Sequence, residues 1–143
     1  MTLHLVKLAV GVDDVPGFAE WIARRAAEAE ARGERPVYRH ITRQMPRRAA
    51  DLLDGGSLYW VIAGAIRARQ RLLDLESVEA DGKRSCALVL EAVLIPTRAQ
   101  KHRPFQGWRY LAAEEAPRDL GTPSALAAMP SSMVSELQDL GLI

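Results

Sequence analysis

The dipeptide Asp81-Gly82 constrains the fold more than any other feature of this sequence. It separates two β-prone runs, and Asp-Gly in that position is typical of a two-residue hairpin turn, which fixes the register of both strands. The predicted pairs are Glu79 with Arg84, Ser77 with Cys86, Leu75 with Leu88 and Leu73 with Leu90. They place Cys86 and the leucines on one apolar face, as a buried hairpin requires.

The strand before this turn carries three alternating arginines, Arg67, Arg69 and Arg71. If the strand ran backward without interruption, the arginines would share a face with Leu73 and Leu75. Because three arginines cannot share a core, we predict a β-bulge at Leu72-Leu73 that moves them to the opposite face. A helix over Ala65 to Leu75 is the alternative interpretation.

The rest of the chain predicts strands in its middle and helices near its ends. Further strands are predicted over Leu3 to Val12, Val37 to Thr42, Ser57 to Ile66 and Trp108 to Leu111. Helices are predicted from Asp13-Asp14 to near Gly33, from Arg47 to Leu53 and from Ser131 onward, and Arg98 to Gln106 is predicted to be a loop. This order indicates an α+β fold with a small, mostly antiparallel curled sheet or barrel, an N-terminal helix, a short middle helix and a C-terminal helix.

Length and composition fit one globular domain, with 143 residues, 48% hydrophobic and 26% charged. We expect residues 1–120 to form a single α+β domain. Residues 121–143 are expected to be an irregular connector and a helix that packs on this domain or trails it. Lys7 interrupts the apolar N-terminal run, so no membrane segment is expected. Cys86 is the only cysteine, which excludes a disulfide within the chain and favours the cytoplasm.

Catalytic signals are weak. The three histidines, His4, His40 and His102, are far apart, so we expect no metal site and no cofactor. The predicted register buries Cys86, which argues against a nucleophilic role. The remaining catalytic hypothesis is metal-independent cleavage of RNA by His40 or His102 beside Arg109, with cations stabilising the developing phosphorane charge. Enzymatic activity stays an open question at this stage, and a binding function is favoured.

The stronger signal combines arginines with aromatic rings. From Arg35 to Arg71 there are eight arginines against two acids, Asp51 and Asp54, and this asymmetry is typical of a nucleic-acid-binding face. The predicted phosphate contacts are Arg43, Arg47, Arg67, Arg69, Arg71 and Arg103, and Phe105 and Tyr110 are predicted to stack on RNA bases. Tyr59, Trp60 and Trp108 are assigned to the core. Solvated surface charges or an acidic protein partner are the alternatives, and the oligomeric state stays open.

Several segments resemble a known family. They are Pro46-Arg47-Arg48-Ala49, Leu53 to Ile62, Ala68 to Arg71, Cys86 to Leu90 and Arg103 to Leu111. They resemble the alphaproteobacterial family catalogued as domain of unknown function 1489, which implies a bacterial cytoplasmic protein and no particular activity. Gly55 to Arg71 also resembles the PUA-like barrels, which include the RNA-binding ASCH group. The Gly-Lys-Glu-Arg pattern of that group is absent, so no functional residue is carried over.

Overall fold

The computed structural model describes residues 2–120, which form an open, curled sheet of seven strands with few helices. The strands are β1 Leu3–Leu8, β2 Val37–Thr42, β3 Ser57–Ile62, β4 Ala65–Ala80, β5 Lys83–Glu91, β6 Ile95–Lys101 and β7 Trp108–Ala112. The helices are α1 Val15–Ala31, α2 Ala49–Leu52 and a 3-10 turn at Ala113–Glu115. The strand order is β2-β5-β4-β3-β1-β7, with β6 paired to β4. The predicted helix from Ser131 lies outside the described residues.

The hairpin of β4 and β5 has the predicted turn and nearly the predicted register. Both turn residues adopt positive φ angles, 52° at Asp81 and 73° at Gly82, as this class of turn requires. Glu79 pairs with Arg84, Ser77 with Cys86 and Leu75 with Leu88, whereas Leu90 pairs with Leu72 because the register shifts between Leu72 and Asp74. The bulge predicted at Leu72-Leu73 is therefore confirmed, and the helical alternative for Ala65 to Leu75 is wrong.

Strand β4 connects the two halves of the sheet. Its first half pairs with β3 and β6, and its second half pairs with β5. The loop predicted from Arg98 to Gln106 is wrong at its start, because β6 runs to Lys101 and pairs Ile95 with Arg69 of β4. Backbone pairing at a sheet edge does not need a run of apolar side chains, and an edge strand tolerates Pro96.

Helix α1 begins where the sequence predicts it. The carboxylate of Asp14 accepts a hydrogen bond of 2.7 Å from the backbone N–H of Gly17, which caps the helix. Phe18 and Ile22 are buried against the sheet, but Trp21 is 44% exposed and the guanidinium of Arg25 lies 5.2 Å from the centre of its ring. Trp21 therefore lies at the edge of the buried stripe of α1.

The core contains a hydrogen-bonded polar group that the sequence did not reveal. The indole N–H of Trp60 donates to Oε1 of Gln70 at 2.9 Å, and Nε2 of Gln70 donates to the carbonyl of Glu91 at 3.0 Å. Tyr59 and Trp60 are buried as predicted. Cys86 is also buried, and burial raises the pKa of its thiol, which agrees with its assignment to the core. Within residues 2–120, no helix is long and apolar enough to span a membrane.

Candidate nucleic-acid interface

A row of large side chains crosses the sheet where β7, β1 and β3 are neighbours. Lys7 of β1 is in register with Trp108 of β7 on one side and with Trp60 of β3 on the other. On β2, His40 meets Trp60 edge to face, with 5.1 Å between ring centres. Lys7 is half-buried in this row, and burial lowers its pKa. Lys7 and Ile41 line two adjoining depressions, which therefore form one continuous surface.

The first depression is an open groove of about 920 Å³, bordered by the end of β2, the β4–β5 turn and the start of β7. Four cations line this basic groove, Lys7, Arg43, Lys83 and Arg84, together with Gln106 and Trp108. None of the four forms an ion pair with a carboxylate of residues 2–120. Asp81 is the acid among the lining residues. The groove therefore presents a surplus of positive charge with free donors.

Trp108 is held rigidly at one side of the basic groove. Its indole N–H donates to the carbonyl of Gln44 at 2.9 Å, which ties β7 to the segment that carries Arg43. The ring of Tyr110 packs edge to face on Trp108 with 4.9 Å between ring centres. The hydroxyl of Tyr110 accepts hydrogen bonds from the backbone N–H groups of Arg47 at 3.0 Å and Arg48 at 3.2 Å. The hydrogen bond to Gln44 and the contact with the ring of Tyr110 preorganise Trp108 at this wall of the groove.

The second depression lies under the start of α1 and has aromatic walls. This aromatic cleft of about 650 Å³ is lined by Phe18, Trp21, Tyr38, His40 and Trp60 as well as Lys7. The Nε2 atom of His40 is buried and has no hydrogen-bond partner among residues 2–120. Burial, and then the charge of Lys7, lowers the pKa of His40 to about 4. The imidazole is therefore neutral near pH 7 and retains an unused hydrogen-bonding atom.

The model of the family described as protein of unknown function (DUF1489) matches residues 5–143. The chain belongs to this family. No curated protein matches the chain. Among solved structures, the chain is similar to a serine-to-alanine variant of the ASCH protein of Zymomonas mobilis, at 12% identity and a TM-score of 0.45, over 78% of this chain and 90% of that one. The family resemblance found in the sequence is confirmed.

The arginines of β4 lie away from the basic groove. Arg69 is in register with Tyr59, and neighbouring residues of a strand point to opposite faces, so Arg69 lies on the face opposite Trp60 and Lys7. Its guanidinium pairs with both carboxylate oxygens of Asp119 at 2.9 and 2.8 Å and donates to the hydroxyl of Ser57 at 2.9 Å. The hydrogen bond with Asp119 raises the pKa of Arg69.

The neighbours of Arg69 differ in their surroundings. Arg67 donates to the carbonyl of Ile62 at 2.8 Å, whereas the side chain of Arg71 is exposed. Two of the three predicted arginines on β4 thus have partners within the protein. The bulge moves this row to the face opposite Leu75, as predicted. The row does not join the four cations of the basic groove.

The remaining predicted residues divide between two places. Arg43 lines the basic groove, and Arg47 lies beside it through its bond to Tyr110. Phe105 packs against a separate apolar cluster on the other face of the sheet, with Arg109 4.8 Å above its ring. The ring of His102 lies 5.0 Å from that of Phe105.

The two histidines proposed for catalysis are therefore in different surroundings. His102 donates from Nδ1 to the carbonyl of the exposed Arg103 at 2.9 Å. Its ring contacts the ring of Phe105, which also contacts the guanidinium of Arg109. His40 lies in the aromatic cleft. Of the two histidines, His102 is thus the one near Arg109. Residues 2–120 contain no group of His, Cys, Asp or Glu that could hold a metal ion.

Sequence analysis missed Lys7, Lys83, Arg84 and Trp108 as members of one site. Two signals were present in the sequence. Lys7 is a cation inside an otherwise apolar strand, and lysine is seldom buried without a partner. Lys83 and Arg84 directly follow the Asp81-Gly82 turn, which places both side chains at the tip of a hairpin. Neither signal shows that the hairpin tip lies beside Trp108.

Proposed function

We propose that this protein binds single-stranded nucleic acid, and RNA in particular, in the basic groove. The observation that carries the proposal is the convergence of Lys7, Arg43, Lys83 and Arg84, without carboxylate partners in residues 2–120, around the ring of Trp108. Lysine and arginine bind phosphates and release condensed counterions, which supplies most of the affinity of such surfaces. Arginine adds a planar fork of donors that matches phosphate oxygens.

Trp108 supports an unpaired strand rather than a duplex. Its ring is half-buried and fixed by Gln44 and Tyr110, so little entropy is lost when a base packs on its accessible part. A base stacks on a protein ring only when it is not held inside a helix, as in loops and single strands of RNA. The groove thus provides cations for the backbone and a ring for one base.

The arginines of β4 contribute less in this proposal than the sequence suggested. Arg67 and Arg69 are engaged by Ile62 and Asp119, and releasing them would leave Asp119 without its partner. The exposed side chains of Arg47, Arg71 and Arg103 provide long-range attraction that steers an anionic strand toward the protein. The direct phosphate contacts are assigned to the four cations of the basic groove.

An acidic peptide would use the same cations but would not need Trp108. The aromatic ring beside the cations therefore favours a nucleic acid over an acidic protein partner. Polyglutamate serves as the probe for this distinction, because it carries the charge of a nucleic acid without its bases. We expect single-stranded RNA to displace polyglutamate at equal charge concentration, and the opposite order would favour an acidic partner.

Fluorescence anisotropy with a labelled, mixed-sequence single-stranded RNA tests the proposal. The informative variant is Arg43/Lys83/Arg84→Ala, which removes three exposed groove cations and leaves the core untouched. The matched control is Arg24/Arg35/Arg98→Ala, which removes the same charge from exposed residues outside the groove. We expect the groove variant to weaken binding at least about a hundredfold, since each phosphate contact is worth about 1 kcal/mol or more. Equal losses in both variants would show general charge attraction and contradict the proposal.

A further inference from the structure

The aromatic cleft and the basic groove share Lys7 and Ile41, yet their charges differ. Cations dominate the groove. The cleft instead carries the exposed carboxylates of Asp13 and Asp14 beside its aromatic walls, with Lys7 as its cation. A phosphate would be repelled by these carboxylates, whereas an uncharged ring would not. The cleft is therefore suited to a different part of a ligand from the groove.

The hydrogen-bonding groups of the cleft also favour a polar heterocycle over a purely apolar group. The buried Nε2 of His40 lacks a partner among residues 2–120, and such an atom costs free energy until a ligand or water satisfies it. The imidazole is neutral near pH 7 because burial lowers its pKa to about 4. Neutral imidazole offers one hydrogen-bond donor or acceptor at Nε2, depending on the tautomer.

The exposed ring of Trp21 supplies the stacking surface of the cleft. Trp21 is 44% exposed at the rim, and Phe18, Tyr38 and Trp60 form the interior. Phe18 and Trp60 meet edge to face with 5.2 Å between ring centres. The cleft volume of about 650 Å³ falls in the range that holds a small organic ligand. The cleft is larger than a base alone requires and suits a nucleoside.

We propose that the aromatic cleft is a binding pocket for one unpaired nucleobase, which stacks at Trp21, forms a hydrogen bond with His40 and belongs to a strand lying in the basic groove. This inference deepens the proposed function and rests on it for the origin of the base. Lys7, which lines both depressions, contacts the phosphate that joins the inserted nucleotide to the rest of the strand. The pocket adds hydrogen-bonded recognition of a base to a groove that provides cations and one stacking ring.

Nuclear magnetic resonance titrations with free adenosine, guanosine, cytidine and uridine test the pocket without the groove. Nucleosides carry no phosphate, so their binding does not depend on Arg43, Lys83 or Arg84. We expect at least one nucleoside to shift the indole N–H resonance of Trp21 and the imidazole resonances of His40. We expect the same shifts in the Arg43/Lys83/Arg84→Ala variant. His40→Phe, which preserves a ring against Trp60, and Trp21→Ala, at an exposed position, should each weaken nucleoside binding at least about fivefold.

Each outcome separates the pocket from the groove. If single-stranded RNA binds but neither RNA nor any nucleoside moves the Trp21 and His40 resonances, the pocket is contradicted and the groove stands. If nucleosides bind in the cleft while RNA does not bind to the wild type, the pocket stands and the groove is contradicted. Thermal unfolding of both pocket variants provides the folding control. If His40→Phe folds and binds nucleosides as the wild type does, the proposed role of Nε2 is wrong.

Discussion

Arg69 of β4 and Asp119 form an ion pair with two parallel hydrogen bonds, Nε to Oδ1 at 2.9 Å and Nη2 to Oδ2 at 2.8 Å. The pair fastens the segment after the 3-10 turn onto the sheet, where Thr97 also bridges to Asp119 through the backbone. An arginine that the sequence predicts as a phosphate contact therefore has a structural partner. Its side chain is 23% exposed.

A double-mutant cycle on this pair tests the structural assignment. We predict that Arg69→Ala and Asp119→Ala each destabilise the protein and that their coupling free energy is about 1 kcal/mol, measured by urea unfolding. The affinity of Arg69→Ala for single-stranded RNA should stay close to that of the wild type. A large loss of RNA affinity in Arg69→Ala, with no coupling to Asp119, would indicate that the arginines of β4 form the RNA-binding surface.

Trp108 and Tyr110 are expected to have different roles although their rings touch. We predict that Trp108→Ala weakens RNA binding at least about fivefold, because it removes a stacking ring from the groove. Tyr110→Phe should leave RNA affinity unchanged and lower the free energy of unfolding by about 1 kcal/mol, because the backbone N–H groups of Arg47 and Arg48 lose their acceptor. A Tyr110→Phe variant that loses RNA affinity but not stability would contradict this division.

The neutral, buried His40 makes stability depend on pH. Its pKa in the folded protein is about 4, below the ordinary value of 6.5, so the unfolded chain takes up the proton first as the pH falls. The stability that the neutral form of His40 contributes is fully present above about pH 6.5 and is lost as the pH falls toward 4. We predict a free energy of unfolding about 2 kcal/mol lower near pH 5 than near pH 7.

The variant His40→Phe should flatten this pH dependence. Some slope will remain because burial, and then Arg69, also lowers the pKa of His4. His102→Phe, which removes an imidazole outside the aromatic cleft, is the matched control. Equal slopes for the wild type and His40→Phe, measured by urea unfolding across this pH range, would show that His40 is not the group responsible.

Gly56 is required by close packing rather than by flexibility. A Cβ atom at this position would meet the carbonyl oxygens of Leu3 and Leu52, each at 2.3 Å, and both belong to the backbone. We predict that Gly56→Ala destabilises the protein by more than about 3 kcal/mol in thermal unfolding. Gly82→Asn is the control, because Gly82 has a positive φ but nothing within 4 Å of a Cβ, and it should cost less than about 1 kcal/mol.

Local chemistry allowed much of the fold to be predicted. The Asp81-Gly82 turn determined the hairpin register. That register would place the three arginines of β4 on the apolar face of Leu73 and Leu75, and this conflict located the bulge. β6 was missed because its sequence, with Pro96 and several polar residues, lacks an apolar face. Its pairing with β4 depends on backbone groups, which periodicity does not report.

The candidate site was predicted only in part, because its residues come from distant segments. Lys7, Arg43, Lys83 and Trp108 belong to four separate strands or loops. The strand order places β2 and β5 at one end of the sheet and β1 and β7 at the other, so the curl of the sheet brings these residues together. Likewise, Asp119 lies 50 residues from Arg69, so no local pattern showed that this arginine had a partner. Charge asymmetry indicated the kind of surface, whereas its position required the topology.

The salt dependence of RNA binding tests the basic groove most directly. Each phosphate neutralised on a single strand contributes about −0.7 to the slope of log affinity against log salt, so the four groove cations predict a slope of roughly −3. In Arg43/Lys83/Arg84→Ala, only Lys7 of the four remains, and the slope should fall in magnitude below about 1. A slope near zero in the wild type, or an unchanged slope in this variant, would contradict the assignment of the basic groove as a nucleic-acid interface.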